Sequence, residues 1–354
     1  MDASRAVSGL TLSEPQADLL VREAYTALLG RPPDDDGLRF YTGHLRHGRM
    51  TIAAFLTQLT ASAEFAEKSV GLGYALERDE TIQEWLRKPD VSDLSGRLAA
   101  CTAFTNEHMD ALVAPARLRL DAVPEQRTYA DEHRRRFFEL FHAASALTRH
   151  LPHPRVLEFG PSAYSSLYTE LLPGCWLVLA DRPTTPGRPG FTAALCEHIA
   201  GPTPFVEVDL LGDLDAAAAR LDRHGPFDLI VFTEVLEHIA RHPGDVLAFL
   251  LGRLSAEGFL YLTTPNALSR GKLHTVGRRR NPQQLFPRQA DNWDAHHHVR
   301  EYTMGELIDL VCVAHGLIRA LHFSACWDEP AYGDYLDQHA DQRGNLVVVA
   351  SRSS

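Results

Sequence analysis

The chain has 354 residues, 45% of them apolar, and a net charge of −11. That length allows two or three domains with a sizeable core, and the acidic balance argues against non-specific nucleic-acid binding. Five scattered cysteines without a CxxC pair fit reduced thiols, and no signal-peptide pattern or membrane-length apolar run occurs, so a cytoplasmic protein without membrane insertion is expected, its oligomeric state open. Residues 13 to about 70 read as short helices. Ser13-Glu14-Pro15-Gln16 is a capping-box start with proline in the first turn, and Val21, Tyr25 and Leu28 continue as a helical stripe. Gly30-Arg31-Pro32-Pro33 ends that helix. Asp36 is placed to cap a second helix through Phe40 and Leu45, Thr51 a third with Phe55 and Leu59 inward, and Ser62 a fourth around Phe65.

The segment from Tyr25 to Leu38, reading YTALLGRPPDDDGL, with Ser62-Ala63-Glu64-Phe65, resembles the bacterial domain-of-unknown-function family 4214. The resemblance implies an accessory or docking role for residues 1–72 and no chemistry; such domains stand beside glycan-processing or surface-protein modules. Residues 73–150 read as a charged helical linker. Tyr129 to Leu147 is amphipathic, with Phe137, Leu140, Phe141, Ala144 and Leu147 on one side. The basic run His133-Arg134-Arg135-Arg136 then lies on a solvated face, or the helix lids the next domain with Tyr129 and His133 near a ligand.

From about residue 153, strand-like runs alternate with helical ones. The strands are Arg155–Phe159, Trp176–Ala180, Phe205–Val208, Asp228–Phe232, Phe259–Thr263, Ile318–Phe323 and Leu346–Ala350; helices include Asp213–Leu221, Pro243–Leu254 and Gly305–Ala314. The alternation predicts an α/β domain over 151–354, a Rossmann-like doubly wound sheet of seven strands behind an N-terminal all-helical domain and helical linker. The last two strands lack a helix between them and fit an antiparallel hairpin at the sheet edge.

Polar residues stand where strands end. The first strand runs into Glu158-Phe159-Gly160-Pro161-Ser162-Ala163, and the second ends at Asp181. Glycine lets backbone approach a ligand, and an acid about 20 residues later suits ribose hydroxyls. The third strand ends at Asp209-Leu210 and the fourth at Thr233-Glu234. Together with Glu-Val-Leu-Glu-His238 and Thr-Thr-Pro265-Asn266, these residues make 153–354 similar to the class I S-adenosylmethionine-dependent methyltransferases. The resemblance implies that Glu158, Gly160, Pro161 and Ser162 lie under the methionine part of the cofactor, that Asp181 holds the ribose, that Asp209 and Leu210 flank the adenine, and that Thr233 lines the same cleft. One departure is plain: the two further glycines usual after Gly160 are replaced by Pro161-Ser162-Ala163, and Ser162 or Ser165 is placed to supply a hydroxyl instead.

The fourth strand exits through Glu234, Glu237 and His238. If a helix starts near Glu234, these three share one face. A later loop carries His296-His297-His298 ahead of Glu301-Tyr302-Thr303, where Thr303 and Glu306 form a capping box. Three adjacent histidines cannot all point one way, so one or two face the site. The long stretch 266–294, with Arg278-Arg279-Arg280, Phe286 and Trp293, fits a lid or an acceptor-binding insert, or a solvated basic turn. Thr-Pro-Asn-Ala-Leu-Ser269 with His-Val-Arg-Glu-Tyr-Thr303 is similar to bacterial methyltransferases found with polysaccharide-building enzymes, which implies a sugar hydroxyl of a glycan or small-molecule acceptor. Glu-x-x-Glu-His with the later histidine also resembles small-RNA 2′-O-methyltransferases, which implies a divalent metal (Mg, Mn, Fe or Zn) on Glu234, Glu237, His238 and His298. His298 or His238 is the candidate base for O-methylation, alone or through the metal. The alternatives are methyl transfer to RNA 2′-hydroxyls or to nitrogen, and a non-catalytic scaffold that works through the N-terminal helices.

Overall fold

In the computed structural model of the chain the described residues are 12–29, 31–60, 62, 64–65, 79–100, 107–108, 110–114, 128, 131–162, 164–184, 191–283, 298–328 and 332–353. They divide into two compact units, Met1–Glu77 with Leu273–Arg280, and Arg78–Lys272 with Asn281–Ser354. No helix among the described residues is long and apolar enough to cross a membrane.

The first unit holds α1 (Glu14–Leu29), α2 (Asp35–Arg46) and α3 (Ile52–Thr60). Thr51 Oγ1 accepts from Ala54 N–H at 3.1 Å, the cap expected there; at Ser13 half of the expected box forms, with the Ser13 N–H and hydroxyl both donating to Gln16 Oε1 at 3.0 Å. The cap of α2 is Asp34 and not Asp36. Asp34 keeps the extended backbone that a cap needs (φ −70°, ψ 164°) and accepts from Gly37 N–H, while Asp36 lies in the first turn. Val21, Tyr25, Leu45, Phe55 and Leu59 close the core of this unit, and Phe40 is left half exposed. Arg31 grips Glu64 through two parallel bonds of 2.6 Å. The arginine of the LLGR run and the glutamate of Ser-Ala-Glu-Phe are therefore one bidentate pair, a physical reason for both to stand in that motif.

The second unit begins with α4 (Glu80–Leu86), α5 (Pro89–Ala99) and α6 (Arg134–Thr148). Its sheet is built from β1 (Arg155–Phe159), β2 (Trp176–Asp181), β3 (Phe205–Glu207), β4 (Phe227–Thr233), β5 (Leu254–Pro265), β6 (Gly316–Ser324) and β7 (Asn345–Arg352). Helices α7 (Leu167–Leu171), α8 (Ala193–Ala200), α9 (Leu214–Leu221), α10 (Pro243–Leu251), α12 (Met304–Val313) and α13 (Gly333–Gln338) belong to this unit as well, while α11 (Arg270–Gly277) is divided, its residues from Leu273 being grouped with the first unit. The strand order is β3-β2-β1-β4-β5-β7-β6. The pairs from β3 through β5 are parallel, and β7 runs antiparallel to both of its neighbours. This is the seven-stranded Rossmann-like sheet with a closing hairpin that the alternation of runs predicts.

Side-chain alternation sorts the core onto two faces. Ile230 and Phe232 of β4 join Leu157, Phe159, Leu307 and Val311 on one side; Leu229 and Val231 join Val156, Phe137, Phe141 and Tyr168 on the other. The basic run at the start of α6 differs from the expected solvated face. Arg136 is buried, Arg135 Nε reaches Glu139 Oε1 at 3.4 Å and Arg134 Nη1 reaches Asp110 Oδ1 at 3.2 Å. Of the three arginines only Arg136 is withdrawn from solvent; Arg134 and Arg135 stay about a third exposed while reaching Asp110 and Glu139. Tyr129, Ala163, Phe286, Trp293, His296 and His297 lie outside the described residues.

Candidate active site

Strand order reverses between β1 and β4, and in open α/β sheets ligands bind beyond the carboxyl ends of the strands at that point. Phe159 pairs with Ala180 on one side and Phe232 on the other. One residue further along each strand stand Gly160, Asp181 and Thr233, so the register alone gathers three of the predicted cofactor residues. Gly160 has φ +66°, and a Cβ there would meet Val235 Cγ2 at 3.2 Å. Glycine is required at this bend, and its backbone is exposed while Pro161 and Ser162 behind it are buried.

The residues that replace the usual glycines fold into a tight serine turn. Ser165 Oγ accepts from Ser162 N–H at 2.8 Å and donates to the Glu158 carboxylate; Ser162 Oγ accepts from Tyr164 N–H at 3.2 Å. Tyr168 donates a second bond to Glu158 at 3.3 Å. The Ser165 hydroxyl is thus committed to shaping the turn. Burial pushes Glu158 up to about 7, against the bonds from Ser165 and Tyr168 and the charge of Arg136, which pull it down. A carboxyl with a raised folded pKa keeps its proton better when folded. Its stabilisation is complete below the ordinary value of 4.5 and is lost as pH rises through about 7. Glu158→Gln, neutral at every pH, is expected to flatten that fall by about 3 kcal/mol. Denaturant unfolding at acid and mildly alkaline pH checks it; an unchanged pH slope would contradict the assignment.

Asp181 at the end of β2 accepts from Arg182 N–H at 2.8 Å and Phe191 N–H at 2.9 Å. Burial raises its pKa, partly countered by those two backbone bonds. Asp209 is exposed and accepts from Leu211 N–H at 2.9 Å, while Leu210 is buried. Arg241 fastens this loop by donating to Leu210 O at 3.1 Å and Gly212 O at 2.7 Å.

The exit of β4 is not the helix that a shared face for Glu234, Glu237 and His238 requires. Glu234 sits in the left-handed region at φ 55°, and only a 3-10 turn, Leu236–His238, follows. A left-handed glutamate costs roughly 1–3 kcal/mol, offset here by its contacts. Thr263 Oγ1 (2.7 Å) and Asn345 Nδ2 (2.9 Å) donate to Glu234 Oε1, and Trp327 Nε1 donates to Oε2 at 3.2 Å. Glu234 is thereby turned toward β5, β7 and Trp327.

The ligand atoms of Glu237, His238 and His298 lie within 4.8 Å of one another. Two backbone bonds to the Glu237 carbonyl, from Val299 N–H at 2.7 Å and Arg300 N–H at 3.3 Å, draw the histidine loop onto the β4 exit. The His238 and His298 rings meet edge to face, with centroids 4.9 Å apart. Glu237 is 1% exposed. Thr264 Oγ1 donates to its Oε2 at 3.0 Å, its buried Oε1 has no hydrogen-bond partner, and His238 Nε2 stands 3.9 Å away. Burial, reinforced by the charge of Glu234, raises Glu237 well above the carboxylate range. A buried carboxylate oxygen that lacks a donor and faces two imidazoles suits a divalent cation.

Two partners of this cluster escape a reading by residue type. His298 Nδ1 lies 2.7 Å from Glu301 Oε1, and Lys272 Nζ lies 2.5 Å from Glu301 Oε2. Burial pushes Glu301 up, but the bonds to His298 and Lys272 outweigh it and hold the carboxyl below its usual range. Glu301 follows His298 at i+3, a local signal; Lys272 carries none. The capping box at Thr303 and Glu306 is present, with bonds of 2.9 and 3.2 Å.

Residues 12–69 match the family model described as Domain of unknown function (DUF4214). The DUF4214 segment falls within the first unit, as its LLGR motif implied. No curated protein matches the chain. Among solved structures, the chain is similar to the Burkholderia thailandensis 1,6-didemethyltoxoflavin-N1-methyltransferase with bound 1,6-didemethyltoxoflavin and S-adenosylhomocysteine (19% identity, 68% of this chain and 89% of that one, TM-score 0.38). A Mesorhizobium loti S-adenosylmethionine-dependent methyltransferase gives 16% identity over 60% and 98% of the two chains, TM-score 0.39. A DUF574 family protein from Streptomyces avermitilis gives 14% over 73% and 97%, TM-score 0.41. None of these likenesses is close enough to carry a functional argument.

Proposed function

We propose that residues 151–354 are a class I S-adenosylmethionine-dependent methyltransferase domain acting on a sugar hydroxyl of a bacterial glycan or glycosylated metabolite. The N-terminal residues 1–72 serve for docking and 73–150 as linker and lid. The observation that carries this reading is the Glu237, His238 and His298 cluster with its partnerless buried oxygen, standing beyond the row of Gly160, Asp181 and Thr233. Gly160 admits the methionine part, Asp181 takes ribose hydroxyls, and Asp209 with Leu210 borders the adenine. S-adenosylmethionine supplies a methyl sulfonium that is already reactive, so the protein's work is alignment and removal of the acceptor proton. Glu237, His238 and His298 would hold a divalent cation, which when bound lowers the pKa of an acceptor hydroxyl. Glu237 is itself buried, so water does not readily satisfy the carboxylate oxygen that would face that cation.

A second reading rests on the 2.7 Å bond between His298 and Glu301. A histidine backed by a carboxylate is a competent general base without a metal. Chelation separates the two. With methyl-labelled S-adenosylmethionine and a panel of oligosaccharides, the metal reading expects transfer to cease after chelation and return with Mn²⁺ or Mg²⁺. Full transfer by the stripped protein would favour the base, and product on RNA or on amines alone would overturn the sugar-hydroxyl reading.

A further inference from the structure

We propose that Glu301 and Lys272 form a positioning pair that fixes His298 in its Nδ1–H tautomer and thereby selects the ring nitrogen offered to Glu237 and His238. The inference deepens the proposed metal site and rests on it only for its effect on cation affinity.

The geometry is local and complete. An ionised carboxylate is an acceptor only. With Glu301 Oε1 at 2.7 Å, His298 Nδ1 must donate, so the lone pair is left on Nε2, the one nitrogen then able to ligate or to take a proton. Glu301 cannot swing away, because Lys272 occupies its other oxygen at 2.5 Å. Lys272 is itself tied at 2.9 Å to the carbonyl of Asn266, the residue after β5, and it sits in the first turn of α11. Asn266 pairs with Tyr302 in an isolated parallel bridge, and Ala267 N–H donates to the Tyr302 carbonyl at 2.9 Å. Lysine, carboxylate and imidazole therefore hang on one backbone clamp between the β5 exit and the histidine loop. Glu301 is 9% exposed at its side chain, so water does not readily substitute for either partner.

Replacing the carboxylate with an amide makes the orientation ambiguous in a directed way. In Glu301→Gln the ammonium of Lys272 claims the amide oxygen, and the amide NH₂ turns toward His298 Nδ1. That nitrogen must then accept, which moves the ring proton to Nε2. Swapping a carboxylate behind a working histidine for its amide is a known route to the wrong tautomer. The double change Glu301→Gln with Lys272→Met removes the competing ammonium, so the amide oxygen is free to return to Nδ1.

The test is a long-range ¹H–¹⁵N spectrum of the full chain, ¹⁵N-labelled at histidine and free of metal, with the His298 signals assigned by their loss in His298→Gln. The wild type is expected to show the Nδ1–H pattern, Glu301→Gln mainly the Nε2–H pattern, and the double variant a return toward wild type. Titration with Mn²⁺ should then weaken by about 10- to 100-fold in Glu301→Gln and recover in the double variant. A Glu301→Gln protein that keeps the Nδ1–H pattern, or a double variant no closer to wild type than the single one, overturns the positioning role. A protein that shows the tautomer changes but binds no Mn²⁺ in any form retains the positioning pair and loses the metal reading.

Discussion

Replacing His298 with alanine is expected to lower kcat by about 100- to 10,000-fold, the span usual for loss of a positioned acid–base group. Both readings of the site require the fall, since His298 is either a ligand beside Glu237 and His238 or the base backed by Glu301. The fold should survive. The side chain is 34% exposed and lies on a loop, and the backbone bonds from Val299 and Arg300 to Glu237 do not involve the ring. Steady-state kinetics with the true acceptor, paired with a thermal unfolding curve, checks the expectation. Unchanged turnover removes His298 from the mechanism. A metal role would also show as weaker Mn²⁺ binding, and a pure base role would leave Mn²⁺ binding where it was.

Asp181→Ala should weaken S-adenosylmethionine binding about 100-fold. Bonds to a charged acceptor are worth roughly 1.5–3 kcal/mol each, so losing a carboxylate that takes the ribose hydroxyls costs about 3 kcal/mol or two powers of ten. The carboxylate is already oriented by two backbone donors, Arg182 N–H at 2.8 Å and Phe191 N–H at 2.9 Å. Alanine frees those donors as well, so Asp181→Asn, which preserves shape and one accepting oxygen, is the control. The expected ranking by calorimetry is wild type tightest, Asn intermediate, Ala weakest. Equal affinities would move the ribose away from the end of β2.

The strands are legible because most are short apolar runs, and all seven stand over those runs; β5 differs in starting at Leu254, where the helix expected to reach that residue ends at Leu251. The clustering of Gly160, Asp181 and Thr233 was legible for the same reason, since parallel strands of similar length end in register. The exit of β4 departs from helix spacing, with only a 3-10 turn after Glu234. Glu234 is held at φ 55° by Thr263, Trp327 and Asn345, and residues so distant in sequence leave no local trace at position 234. The N-cap of α2 lies two positions before Asp36 because Asp34, Asp35 and Asp36 are equivalent as letters, and only backbone geometry chooses Asp34. Arg136 and Glu139 look like the polar side of an amphipathic helix, yet both are buried.

The central claim is that the carboxyl ends of β1, β2 and β4 bind S-adenosylmethionine, and titration calorimetry of that molecule into the full chain tests it most directly. The account predicts saturable binding at one site per chain, competition by S-adenosylhomocysteine, and a rise in melting temperature on binding. An absence of heat together with an unshifted melting curve would contradict it and would favour a scaffold that works through its N-terminal helices.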